Sequence, residues 1–222
     1  MDFVVDVGKF FADNPQLMLE LTLRHVLLSV TAVVVAIVIA LPIGVTIGHL
    51  HRWSFLAVNG GNALRALPTL AIVAIGIGLY GLGFFNILLA LVILALPLVL
   101  TNSYVAVDGV DRGMVEAARG MGLTGWQIVW RVELPNALPL IMAGIRTALV
   151  YVIATAYLAG LAGYSGTLGE IITNQSSYRL TGVMAATLVA VVLAFLGEFL
   201  LAGLERLITP KGLQHTALIA VI

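Results

Sequence analysis

The sequence predicts an all-α polytopic membrane protein with about five transmembrane helices and a helical-hairpin loop, and three observations carry that fold class. Of its 222 residues, 61% are hydrophobic and 10% charged, against roughly 25% charged in a soluble domain. No aspartate, glutamate, lysine, arginine or histidine occurs among the 42 residues from 66 to 107, which is room for two spans at roughly 20 apolar residues each. The polar residues gather instead between 106 and 138, where Asp108, Asp111, Arg112, Glu116, Arg119, Arg131 and Glu133 lie.

The first 20 residues mix Asp2, Asp6, Lys9, Asp13 and Glu20 among apolar residues. They lack the basic-then-apolar order of a cleaved signal, so the first span is expected to serve as an uncleaved anchor. Spans are expected at 25–48, 67–80, 84–105, 139–161 and 180–204, within a single transmembrane domain covering 1–222. Pro42 should kink the first, and Pro68 should open the second or kink it away from an interfacial stretch at 53–64. Gly81-Leu82-Gly83 forms the turn between the second and third. A Gly/Ser/Thr/Asn/Gln-rich connection, 162–179, precedes the fifth, and its Tyr164 reads as an interfacial aromatic.

An odd number of spans puts the termini on opposite sides. With the amino terminus outside, Arg52, Arg65, Arg112, Arg119, Arg131, Arg206 and Lys211 lie inside, against Lys9, Arg24 and Arg179 outside. The positive-inside bias therefore makes 106–138 a cytoplasmic loop and the carboxyl terminus cytoplasmic. Arg146, within span four, reads as a side chain snorkelling to the inner surface, and Glu198 in span five reads the same way.

Within the loop, Asp111 is placed to cap a helix running to about Met121 that Gly122 stops. Arg112, Glu116 and Arg119 form one polar stripe, and Val115, Ala118 and Met121 an apolar one that docks. Thr124 and Gln127 fit a capping box, so a second helix should run from Gly125 to Leu134 and end at Pro135.

Several chemistries are absent. Cysteine does not occur, which removes disulfides and thiolate catalysis. No G-x-x-x-x-G-K-[ST] loop exists to cradle a phosphate: the two lysines, Lys9 and Lys211, precede Phe10 and Gly212. The basic residues form no stripe for nucleic acid. His49 and His51 stand two apart at a membrane edge and read as solvated, while His25 reads as interfacial, so no intramembrane hydrolase pair emerges and no catalytic or metal site is expected. An ion-coupled carrier is disfavoured because Arg146 and Glu198 are the only full charges within the spans. Asn102, Ser103, Thr155 and Tyr157 are the polar side chains placed on spans where a solute pathway would need them.

The run Glu116-Ala117-Ala118, Gly122 and Val132-Glu133-Leu134-Pro135 resembles the EAA signature of ATP-binding-cassette (ABC) importer permeases: E-A-A, three residues, Gly, nine residues, I-x-L-P. Every spacing matches, with Val132 in place of isoleucine. The likeness extends over Arg24-His25, Leu41-Pro42, Arg65-Ala66-Leu67-Pro68 and the small residues before Gly169, and is greatest for permeases of glycine betaine, carnitine, choline and proline. It implies a non-catalytic inner-membrane subunit that pairs with a second permease. It also implies two ATPase subunits, which hold the ATP-Mg, and an extracytoplasmic binding protein. Glu116, Ala117, Ala118, Gly122, Leu134 and Pro135 would then form the ATPase-coupling element. Importers of methionine or sulfonate share the signature and remain the alternative for the solute.

Overall fold

A computed structural model describes residues 2–209; Lys211, counted above as an inner charge, lies outside them. The described residues are helical throughout, without strands. The helices are α1 (Asp2–Asp13), α2 (Pro15–Leu50), α3 (Ser54–Ala66), α4 (Thr69–Tyr80), α5 (Phe84–Asp108), α6 (Arg112–Gly120), α7 (Gly125–Ile128), α8 (Leu134–Thr155), α9 (Gly169–Thr173) and α10 (Gln175–Ile208). A π-helical turn, Val129–Glu133, joins α7 to α8, and a 3-10 turn, Ala156–Ala159, follows α8. Four continuous helical stretches, Pro15–Leu50, Phe84–Asp108, Gly125–Ala159 and Gln175–Ile208, are long and apolar enough to cross a membrane. A bent pair, Asn59–Ala66 with Thr69–Tyr80, broken at 81°, passes the same test when its two helices are taken together. Alone, the 12 residues of α4 reach about 18 Å, short of the roughly 30 Å hydrocarbon core. Pro68 makes the bend: its extended backbone (φ −63°, ψ 124°) caps α4, where its lack of an N–H costs nothing.

The chain divides into two compact units. The first comprises residues 1–35, 67–95 and 149–197. Its core brings Val7 of α1 and Met18 and Leu21 of α2 against Leu168, Ile171, Ala185 and Ala186. This explains two departures from expectation. The amino-terminal segment is an amphipathic helix with Val7 buried and Phe10 packed edge-on to Tyr178, and α2 starts ten residues before 25, with Pro15 in its first turn after Asn14. His25 is fully buried and not interfacial: its Nε2–H donates to the Ile153 carbonyl at 3.0 Å and its ring meets Tyr157 edge-on. Tyr164 stacks edge-on against Phe84. In α10 the backbone breaks at Arg179 (φ 54°), so the uninterrupted part begins at Leu180.

The second unit comprises, among the described residues, 36–66, 96–148 and 198–209. Here α2 and α5 meet through glycines: a Cβ on Gly44 would lie 2.7 Å from that of Ser103, and one on Gly48 would lie 2.7 Å from that of Val107. Gly44 and Gly48 form a GxxxG face, which lets backbones approach closely. Gly144 of α8 abuts Asn102 of α5 in the same manner, its Cβ position 2.5 Å from that of Asn102. Gly144→Ala is therefore expected to overpack this contact by about 1–3 kcal/mol. It should lower the unfolding temperature in detergent, whereas Gly78→Ala, with open space around it, should not.

Pro135 does not end the second loop helix. α7, the π turn and α8 form one continuous rod in which Pro135 and Pro139 are interior. Proline normally breaks a helix because it lacks an N–H and collides with the carbonyl four residues back. The widened turn relieves both: Leu134 N–H donates five residues back to Val129 O, and the Asn136 side chain donates to Val132 O at 2.7 Å. The helix that carries span four thus begins in the loop, ahead of 139.

Candidate functional site

The loop chemistry read from the sequence folds as local rules require. The Asp111 carboxylate accepts from Met114 N–H at 3.0 Å and starts α6. Gly122 takes the left-handed conformation (φ 86°), and Gly122 N–H and Leu123 N–H donate to Arg119 O and Ala118 O, closing α6 as a Schellman motif. Thr124 and Gln127 exchange both bonds of a capping box. The result is a short hairpin whose outer surface carries Glu116 and Ala117, both exposed. Met114, Met121, Trp126 and Trp130 are exposed too, the two tryptophans edge-on at 5.4 Å. Four large apolar side chains thus stand in the open around one short element.

Three residues grouped with this surface do otherwise. Ala118 is 2% exposed and packs inward, so its small size serves the hairpin's seating on its own chain; Ala117 is the small residue that a partner can approach. Leu134 and Pro135 are half-buried in the continuous rod.

Of the span candidates, Asn102 donates to Leu98 O at 2.7 Å and meets Gly144. Ser103 is fully buried within the protomer against Gly44. It lies at the contact between α2 and α5. Thr155 and Tyr157 are half-buried at the end of α8 and in the 3-10 turn.

Three polar contacts were invisible in the sequence. His49 is no solvated histidine: its Nδ1–H donates to both oxygens of the Glu133 carboxylate, at 2.8 and 3.0 Å, and Glu133 is 2% exposed. His51 Nδ1 lies 2.6 Å from Asp108 Oδ1 in the open. Arg146 does not snorkel but is held between Glu198 (3.8 Å) and Glu205 (3.3 Å). Opposite charges at the ends of neighbouring spans were the available signal; pairing them requires knowing which helices are adjacent.

Residues 32–211 match the family described as "Binding-protein-dependent transport system inner membrane component". The chain is 37% identical to the carnitine transport permease protein OpuCB of Listeria monocytogenes, over 97% of each chain. It is 35% identical to the glycine betaine/carnitine/choline transport system permease protein OpuCB of Bacillus subtilis (strain 168), over 92% of this chain and 94% of that one. Among solved structures it is similar in fold to the inward-facing MetNI methionine ABC transporter, with a TM-score of 0.77, 23% identity, and coverage of 88% of this chain and 97% of that one. An amino acid ABC transporter with histidines gives a TM-score of 0.72 at 19% identity, over 88% of this chain and 96% of that one.

Proposed function

This chain belongs to the family of inner-membrane components of binding-protein-dependent transport systems, and we propose that it is the permease subunit of an ATP-driven importer of a small osmoprotectant of the glycine betaine, carnitine, choline or proline class. The observation that carries the solute class is identity of 37% and 35% along nearly the whole chain to permeases for carnitine and for glycine betaine, carnitine and choline. In this reading the chain is one transmembrane domain with the amino terminus outside. It pairs with a second permease, receives solute from a binding protein, and contributes no catalysis. ATP-Mg is held by two ATPase subunits that seat on the hairpin.

Each part of the hairpin suits that role. Glu116 offers an exposed carboxylate for charge-assisted hydrogen bonds, Ala117 lets a partner reach the helix backbone, and Met121 with the tryptophan pair supplies apolar area around them. Because α7 continues through the π turn into α8, displacement of the hairpin reaches a span through that junction. Thr155 and Tyr157, with Asn102, are the side chains we assign to the solute pathway.

Uptake of radiolabelled betaine, carnitine, choline and proline by cells expressing the complete set of subunits tests the solute. Accumulation of at least one is expected; transport of methionine or a sulfonate with none of the four would replace the assignment. Orientation is tested separately, since single cysteines stand out in a chain that has none. A membrane-impermeant thiol reagent applied to intact cells should label Asn174→Cys and spare Thr124→Cys, and the reverse pattern would invert the topology.

A further inference from the structure

We infer that His49 is a positioning residue for coupling: through Glu133 it bolts the hairpin to the α2–α5 pair, so that a push on the hairpin moves three helices together. This rests on the reading of the hairpin as the ATPase seat.

The hairpin continues as helix only into α8; residues 109–111, which join it to α5, are a non-helical link. The last residue of the π turn at that junction is Glu133. π turns are local departures from regular helix and recur at functional sites. A hairpin levered about such a turn would bend α8 there, pull on α5 only through a short non-helical link, and leave α2 behind unless something else held it. His49, at the end of α2, is that hold. One edge of its ring donates to both Glu133 oxygens. The other edge faces the start of α7, where a Cβ on Gly125 would lie 3.3 Å from Nε2. His49 therefore touches both ends of the α7–π segment.

The other end of the linkage is equally close. Directly before His49, Gly48 presses α2 onto α5, its Cβ position 3.0 Å from Tyr104 O, and Gly44 does so one turn earlier, 2.8 Å from Leu100 O. Two residues beyond, His51 pairs with Asp108 at the end of α5. With backbones in such contact there is no slack for α2 to slide on α5. A buried carboxylate without a partner is costly, so Glu133 keeps His49 engaged as the hairpin moves.

The test uses the complete assembly in proteoliposomes and reads solute transported per ATP hydrolysed, together with ATPase retention. His49→Ala should cut solute per ATP at least about fivefold, the scale of a coupling free energy, with the ATPase retained and still hydrolysing. His49→Asn, whose amide nitrogen takes the place of Nδ1, should restore most of the ratio. The His49→Ala/Glu133→Ala pair should be no worse than the poorer single variant. Should His49→Ala fail to reach the membrane, Glu133→Gln, which keeps the shape and removes the charge, is read in its place. An unchanged ratio overturns the inference, as does an Asn variant as impaired as the Ala variant. A wild-type assembly that binds no ATPase overturns the coupling reading along with it.

Discussion

Gly122→Val is expected to abolish most solute uptake, with the permease reaching the membrane at near-normal levels and the ATPase lost on purification. Gly122 sits at φ 86° with nothing within 4 Å of its Cβ position, so the penalty is wholly one of backbone conformation. An L-residue pays about 1–2 kcal/mol in the left-handed region, and a β-branched one more, because its second γ atom crowds the adjacent carbonyl. If the hairpin relaxes to escape, the bonds from Gly122 and Leu123 to Arg119 and Ala118 open and α6 is re-aimed. Each 1.4 kcal/mol lowers the seated population about tenfold. Asparagine tolerates this conformation best of the other residues, so activity should fall in the order Gly, Asn, Ala, Val. A flat series would show that the hairpin's direction does not matter. Surface burial identifies the companion variant: Ala117→Trp, on the exposed face, should insert normally and shed the ATPase. Ala118→Trp, at a buried position, should disturb the hairpin itself and show as a lower permease level.

What could be read from the sequence divides along the range of the forces involved. The Asp111 cap, the Gly122 stop and the Thr124/Gln127 box were legible because each joins residues three to five apart, the cap and the box through side-chain bonds and the stop through the left-handed backbone that glycine allows. The span cores, 84–105 above all, were legible because lipid tolerates so few charges. Pro68 and the bend it makes belong to the same class. The rest depended on partners far along the chain. His49 and Glu133 are 84 residues apart and His25 and Ile153 128 apart, and nothing local distinguishes a histidine that will be buried from one left at the membrane edge. Proline at 135 is a helix breaker by its own chemistry, and only the π turn upstream reverses that. The exposed surface of the hairpin was half legible: its stripe of Arg112, Glu116 and Arg119 followed from helical spacing, whereas which alanine faces inward depended on the seat beneath it.

Arg146→Met should produce the largest loss of folded protein among single substitutions in the spans. The guanidinium is 18% exposed and the Glu205 carboxylate 13%, inside helices otherwise apolar, and at 3.8 and 3.3 Å the two contacts are charge pairs more than aligned hydrogen bonds. Forming such a pair contributes little, since desolvation offsets the attraction, but removing one partner strands the other and costs about 3–5 kcal/mol when burial is complete. Glu205 is close to that limit. Glu198, 42% exposed, is well short of it, so Glu198→Gln should be mild. The pairing also has a structural consequence, because α10 is the least buried of the long apolar helices and this cluster fastens its end to α8. Membrane-fraction level and unfolding temperature in detergent should both fall sharply for Arg146→Met. They should fall less for Arg146→Lys, which keeps the charge but loses the planar fork. Arg146→Met/Glu205→Gln should recover much of the loss, because the stranded carboxylate is then gone. A double variant no better than Arg146→Met would mean that the arginine acts through its packing along α8 and not by holding the acids of α10.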